Sequence, residues 1–317
     1  MKKQPCSKSN LPESGETAVD HEKTAKTFYM KFSDVPRDFM EQTGYTLADY
    51  SVALGFSANE KATKFEIYGS GVLVRKGNRF GILTAHHCMH NPGPDFRFGS
   101  FDGDKLLLVL KRSNFITLPP EILIKHALGI PKGRQMEPDL AFVEILPSPQ
   151  LGSIKAISSF WPLDKNPSDI EQEFGRTSMP FAVVGFPGAY HQKKVEGKTT
   201  RQIIKHMAFF YEIKPKGIHE RRGWDYVEAH NWYGKNNELP DSFEGVSGGP
   251  VWGLQVKRDE NSGQLSLKKF SLIGIAFLQI RVSKKKLHVR AHFIKSIYDF
   301  AWRSAGLSSM DSHCRTC

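Results

Sequence analysis

The hexapeptide Gly245-Val-Ser-Gly-Gly-Pro250 places a serine between glycines and ends in a proline. Glycine adopts backbone conformations that other residues avoid, and it allows the N–H groups of a tight turn to point into a pocket. A serine on such a turn is typical of an exposed nucleophile, although a Gly-rich hairpin would have the same composition. The segments around residues 87 and 139 favour the interpretation of Ser247 as a nucleophile.

A histidine and an aspartate lie upstream of Ser247, the histidine just after an apolar run and the aspartate just before one. His87 stands in Thr84-Ala-His-His-Cys88, and Asp139 precedes a run of apolar residues. Acyl transfer by a serine requires a base for the hydroxyl proton, a carboxylate that orients this base, and donors for the oxyanion. The chain supplies a candidate for each role. Taken singly, His87 could end a strand and Asp139 could cap a turn, and His86 is a competing base.

The three motifs resemble those of the chymotrypsin/trypsin-like serine proteases. Thr84-Ala-His-His-Cys88 is similar to the histidine motif, Asp139-Leu-Ala to the aspartate motif and Gly245-Val-Ser-Gly-Gly-Pro250 to the serine motif, and they follow one another in the same order. The resemblance spans residues 65–305. Because it rests on three motifs in order, it is more specific than any one of them.

The resemblance implies a role for each residue of a Ser-His-Asp triad. His87 would act as general base and then as general acid, Asp139 would orient its imidazole, and Ser247 would form the acyl-enzyme. The backbone N–H groups of Gly245 and Ser247 would form the oxyanion hole. His87 is preferred to His86 because the family's histidine immediately precedes the cysteine.

The pattern of strands predicts an all-β fold. Short apolar and β-branched runs, separated by turn residues, lie on both sides of a proline-rich stretch, as in antiparallel barrels or sandwiches. The resemblance implies the chymotrypsin-like double barrel, with two six-stranded antiparallel β-barrels, a C-terminal α-helix and a short, partly helical N-terminal extension. We expect a flexible arm (1–27), an extension packing on the barrels (28–64), the first barrel (65–150), an interbarrel connection (151–176), the second barrel (177–292), a helix (293–307) and a tail (308–317).

Two positions depart from the pattern of the secreted, cleavage-activated members. No cysteine lies on the strand before Cys88, so we expect a free, buried thiol there and a disulfide-free, bacterial-type branch of the family. Val246 stands where cleavage-activated members have an aspartate that pairs with a new N-terminal amine. Since valine cannot form this ion pair, we expect no zymogen switch of that type.

The specificity pocket is predicted from positions relative to Ser247. Asp241 stands six residues earlier, where trypsin-like members hold the carboxylate that binds Lys or Arg side chains. Asp241 also follows a proline, so it could simply cap a turn. Phe277 and Gln279 stand where trypsin-like members have Ser and Gly, and the bulk of Gln279 could narrow the pocket mouth.

The composition limits the classes of binding partner that can be expected. The formal charge of +11 comes from 44 Lys and Arg against 33 Asp and Glu, but the basic residues are spread along the chain. Nucleic acid is therefore possible but not favoured, and no apolar run long enough for a membrane span is present. The family resemblance implies a polypeptide substrate. The alternatives to an enzyme are an idle, protease-like binding module and a basic nucleic-acid-associated protein.

The four cysteines, Cys6, Cys88, Cys314 and Cys317, provide no disulfide framework across the fold. With no signal peptide expected, a cytoplasmic protein is predicted. Cys314-Arg-Thr-Cys317 has a metal-like spacing, but no second pair of ligands lies nearby, so a frayed tail is the favoured interpretation. No metal and no organic cofactor is expected.

Overall fold

Two large β-sheets contain most of the strands in the computed structural model. The structure describes residues 35–57, 65–89, 91–92, 98–99, 105–132, 137–174, 180–188, 192–196, 199–204, 206–212, 217–232, 244–283 and 286–307. The predicted arm (1–27), the predicted tail (308–317) and Asp241 lie outside these residues.

The described residues form nineteen strands: β1 (Ser51–Ser57), β2 (Phe65–Lys76), β3 (Arg79–Thr84), β4 (Asn91–Pro92), β5 (Phe98–Gly99), β6 (Lys105–Leu110), β7 (Asn114–Leu118), β8 (Leu123–Gly129), β9 (Leu140–Ile145), β10 (Trp161–Pro162), β11 (Pro180–Gly185), β12 (Gln192–Glu196), β13 (Thr199–Ile203), β14 (Met207–Glu212), β15 (Ile218–Arg221), β16 (Trp224–Trp232), β17 (Pro250–Arg258), β18 (Leu265–Ser283) and β19 (Lys286–His292). The helices are α1 (Arg37–Ala48), α2 (Pro149–Ile157), α3 (Pro167–Phe174) and α4 (Ala301–Ser304), the last preceded by a π-helical segment, Ser296–Phe300. Short 3₁₀ segments cover His86–Met89, Lys111–Ser113 and Pro120–Ile122.

The strand order defines the two sheets. The first runs β7-β6-β1-β2-β3-β9-β8, with β10 paired in parallel to β2, and the second runs β14-β11-β17-β18-β19-β16-β15. Neighbours along these two paths pair antiparallel. The mainly β, antiparallel character is as predicted, but the sheets have eight and seven strands rather than six each. No ladder within the described residues joins the two edges of either sheet, so the closed barrels stay a prediction.

One hydrophobic core receives side chains from both sheets. The inner strand β6 is buried almost throughout, whereas the edge strand β8 is buried only in its last two residues. The rings of Tyr50, Trp161, Trp252 and Phe270, of which Tyr50 and Phe270 are partly buried, lie within 5.9 Å of one another between centroids. Large aromatic side chains bury the most apolar area per residue, so this cluster contributes strongly to holding the two sheets together.

Some boundaries differ from those predicted. The first barrel was expected to begin at residue 65, but β1 already pairs with β2 and β6, so only α1 remains of the extension in the described residues. The connection at 151–176 overlaps two helices, α2 and α3. Their first residues are Pro149 and Pro167, because proline suits the first helical turn, where no N–H is required. The predicted C-terminal helix is present between Ser296 and Ser304. No helix among the described residues has the length and apolarity needed to cross a bilayer.

Candidate active site

Strand pairing brings His87 and Asp139 together. β3 ends at Thr84 and pairs with Ala141 of β9, so the residues that follow β3 lie beside those that precede β9. The His87 backbone N–H donates to Asp139 Oδ1 at 3.0 Å, and His87 Nδ1 lies 2.5 Å from Asp139 Oδ2. Because a carboxylate only accepts, the proton of this second bond resides on Nδ1, and Nε2 is left as the basic nitrogen.

Burial differs between the two side chains. Asp139 is 1% exposed, whereas 30% of the His87 side chain is accessible. Burial by itself lowers the pKa of His87, but the Cys88 side chain and the Asp139 carboxylate favour the imidazolium, and the pKa is raised above its usual value of 6.5. The imidazolium that forms when His87 takes a proton is therefore stabilised.

The serine turn lies immediately before β17. Gly245 and Gly248 have φ values of +89° and +83°, a backbone conformation that favours glycine. The Gly249 N–H donates to Val246 O at 2.8 Å, which closes the turn. The Gly248 N–H donates to Ala276 O at 2.6 Å, and the Ala276 N–H donates to Gly249 O at 2.9 Å. The turn is thus fixed to β18 on the side of its own sheet.

On its other side, the serine turn contacts β2 of the first sheet through Ser70. The Ser70 N–H donates to Ser247 O at 2.7 Å, and Ser70 Oγ donates to Gly245 O at 2.6 Å. Ser70 Oγ also accepts from the Phe186 N–H at 3.0 Å, and Ser70 is fully buried. A single side chain of the first sheet therefore holds both the serine turn and the end of β11.

The same contacts bring Ser247 to the histidine segment. Cys88 Sγ donates to Ser247 O at 3.3 Å, and Cys88 directly follows His87. Cys88 is a free, buried thiol, as predicted. His87 and Asp139 are joined directly, whereas no hydrogen bond within the described part of the chain joins the Ser247 side chain to His87.

Two N–H groups of the turn are available as donors. Unlike those of Gly248 and Gly249, the N–H groups of Gly245 and Ser247 donate no hydrogen bond to any of the described residues. Buried or half-buried backbone donors are normally paired, so two free donors on one strained turn require an explanation. They are the two groups for which the family resemblance implies a role in an oxyanion hole.

The predicted pocket residues lie further along β18. Phe277 follows Ala276 and is 2% exposed, with its ring centroid 4.7 Å from that of His292. Gln279 is partly exposed. Asp241 lies outside the described residues, so its place relative to these two side chains stays a prediction.

The chain was also compared with known proteins. No protein-family model and no curated sequence matches it. Among the described residues, no group of three or more His, Cys, Asp or Glu side chains is arranged to hold a metal ion. Cys314 and Cys317 lie outside those residues.

Three residues of the site were not found from the sequence. Ser70 stands in Gly69-Ser-Gly71, and glycines on both sides of a serine within a strand are a signal of close backbone approach. A Cβ at Gly69 would lie 2.5 Å from Cys88 Sγ. Arg290 and His292 contact the Asp139 segment, at Glu137 and at Asp139, from a distance in sequence, and nothing in their local sequence indicates it.

Proposed function

We propose that this protein is a serine endopeptidase that hydrolyses peptide bonds through an acyl-enzyme. The observation that carries the proposal is the double hydrogen bond between Asp139 and His87, with the strained Ser247 turn docked on the neighbouring Cys88. A buried carboxylate, an accessible imidazole and a serine on a glycine-rich turn are the components of a triad.

In the proposed mechanism, each residue acts in turn. His87 Nε2 takes the proton of the Ser247 hydroxyl as its oxygen attacks the scissile carbonyl. Asp139 holds the proton on Nδ1 and stabilises the imidazolium through the 2.5 Å contact. His87 then donates the proton to the leaving amine, and water, deprotonated by the same histidine, releases the acyl group from Ser247.

The N–H groups of Gly245 and Ser247, which have no partner among the described residues, support an oxyanion hole. Both belong to the turn that carries the nucleophile, so they lie close to the carbon that it attacks. Removing one such donor typically costs about 10²- to 10³-fold in turnover. The Gly245 carbonyl accepts from Ser70 Oγ at 2.6 Å, and this contact fixes the peptide planes of the turn.

The two sheets support the double-barrel interpretation. His87 and Asp139 come from the first sheet, and Ser247 comes from the second, so the proposed site lies where the sheets meet. We propose that each sheet curls into one barrel of a chymotrypsin-like fold. The substrate is a polypeptide, and the disulfide-free character inferred from the sequence is consistent with the free thiol of Cys88.

A fluorophosphonate probe tests the proposal, because it reacts covalently with an activated serine. We expect the purified protein to be labelled at Ser247 and Ser247→Ala to be unlabelled. Ser153→Ala, which changes an exposed serine of α2, should be labelled like the wild type. Peptide mapping of the labelled residue and a peptide-library digest complete the measurement.

Absence of labelling in folded wild-type protein would overturn the enzyme proposal. The protein would then be the idle, protease-like binding module. If labelling occurs, the library digest examines Asp241: a Lys or Arg preference that disappears in Asp241→Ala supports the predicted pocket, and any other preference rejects it.

A further inference from the structure

Strand β19 of the second sheet contacts the segment that carries Asp139, at two points. The Asp139 backbone N–H donates to His292 Nε2 at 3.1 Å. Two residues earlier, Glu137 forms an ion pair with Arg290. His292 and Arg290 are two positions apart on the strand, so their side chains lie on the same face of the sheet. The triad mechanism requires neither residue.

The His292 ring is held in an aromatic cage. It is fully buried, and its centroid lies 5.0 Å from that of Trp224, 5.2 Å from that of Tyr226 and 4.7 Å from that of Phe277. Phe277 follows Ala276, which is hydrogen-bonded to the serine turn. The cage therefore fixes the imidazole relative to both the Asp139 segment and the serine turn.

Within the described residues, only one of the two ring nitrogens of His292 forms a hydrogen bond. To accept from the Asp139 N–H, Nε2 must be unprotonated, so the proton of the neutral ring lies on Nδ1. This Nδ1 is buried and has no hydrogen-bond partner within the described residues. An apolar ring would fill the same cage and remove the unpaired Nδ1, but it would leave the buried Asp139 N–H without an acceptor. What the imidazole adds is the acceptor for Asp139.

The second contact is an ion-pair network around Glu137. Glu137 is 8% exposed, and besides Arg290 it contacts Arg221 at 3.5 Å. Arg290 also donates to Glu228 from Nε at 2.9 Å, and the two residues are directly paired across β16 and β19. Because buried or half-buried carboxylates that share a guanidinium have little freedom, Glu137 is fixed two residues before Asp139.

We propose that His292 and Arg290 are positioning residues that hold Asp139 in register with His87 from the opposite sheet. The proposal rests on the proposed function, since Asp139 matters for catalysis only if His87 serves as the base. His292 fixes the Asp139 backbone directly, and Arg290 fixes it through Glu137.

The test replaces the acceptor and keeps the ring. His292→Phe fills the cage but cannot accept from the Asp139 N–H, whereas the side-chain amide of His292→Gln can. Trp224→Phe is the matched control, because it alters the same cage and leaves the acceptor in place. For Arg290, the variant is Arg290→Met and the control is Arg303→Met, whose side chain pairs with Asp299 on the exposed surface.

Two quantities are measured for each folded variant: the fluorophosphonate labelling rate constant at saturating probe, and the NMR titration midpoint of His87. We expect His292→Phe to lower the rate constant about 100-fold, the loss typical of a displaced catalytic group. The His87 midpoint should fall, since the carboxylate that favours the imidazolium is no longer held. His292→Gln should keep most of the wild-type rate constant and His87 midpoint. Arg290→Met should lower both, but less than His292→Phe does.

The proposal is overturned if His292→Phe keeps the wild-type rate constant and midpoint, or if Trp224→Phe changes both as much. A purely structural role would lower the melting temperature without moving the His87 midpoint. Failure of the proposed function is recognised separately, because the wild type would then be unlabelled. In that case the His87 titration alone decides whether His292 positions Asp139, and an unchanged midpoint in His292→Phe rejects it.

Discussion

At His87, the contacts that orient the imidazole also favour its charged form. The Nδ1 proton is shared with a carboxylate that is 1% exposed, and Cys88 adds to the same effect. A general base has to be neutral before it can take a proton. The structure therefore combines strong stabilisation of the imidazolium with a small neutral fraction at neutral pH.

The small neutral fraction of His87 predicts how fluorophosphonate labelling depends on pH. Because the pKa of His87 is raised above 6.5, the fluorophosphonate rate constant should still increase with pH above pH 7, by about tenfold per pH unit until the pKa is reached. Labelling kinetics over a series of buffers at constant ionic strength provide the measurement.

The control for this prediction is Asp139→Asn. With the carboxylate gone, the ascending limb should move to lower pH, and the plateau rate should fall by as much as about 10⁴-fold, as in Ser-His-Asp triads that lose their aspartate. A wild-type rate that is already constant between pH 6 and 9 would contradict the raised pKa.

At the scale of elements, the serine turn fits against the first sheet with no room to spare. A Cβ on Gly248 would lie 2.0 Å from Thr84 Oγ1 and 2.1 Å from Ser70 O, and the φ of Gly248 is +83°. We expect Gly248→Ala to lower the free energy of unfolding by about 3 kcal/mol and to abolish labelling, because overpacking and strain act together.

Gly152→Ala is the matched control. Gly152 lies on the exposed side of α2, and a Cβ there meets no atom within 4 Å. In this variant the free energy of unfolding should rise by about 0.5–1 kcal/mol, and labelling should stay at the wild-type level. Urea denaturation of both proteins gives the comparison, and equal stability of the two would refute the tight fit of the serine turn.

Local sequence was sufficient to predict some elements and not others. The glycines around Ser247 and the apolar runs before His87 and after Asp139 follow from backbone and burial rules that act within a few residues. Ser70 and His292 do not, because their partners lie 175 and 153 residues away and depend on how the sheets pack. The helices within 151–176 were missed because their prolines also suit loops, and only the helical pattern of the next residues distinguishes a proline at the first helical position.

For the whole molecule, the buried His292 links stability to pH. Burial lowers its pKa to about 4, whereas the unfolded chain has a histidine pKa of 6.5. Between these two values the unfolded state binds more protons than the folded state, so stability falls as the pH falls. The loss should approach about 3 kcal/mol from pH 7 to pH 4.

The measurement is the free energy of unfolding in urea at pH 7, 6, 5 and 4. His292→Gln should have a smaller loss than the wild type, because its side chain does not titrate. His219→Gln, which changes an exposed histidine of β15, should keep the wild-type slope. Parallel curves for all three proteins would show that His292 is not the responsible group.

For the proposed enzyme, the crossed contacts between the sheets also determine the stage of synthesis at which activity can arise. The first sheet holds the serine turn through Ser70, and the second sheet holds the Asp139 segment through His292. A nascent chain that has left the ribosome only as far as the serine turn contains all three residues of the proposed triad but lacks the acceptor that fixes Asp139. If Ser247 is the nucleophile, as proposed, catalytic competence would thus be delayed until β19 is synthesised and paired with its neighbours.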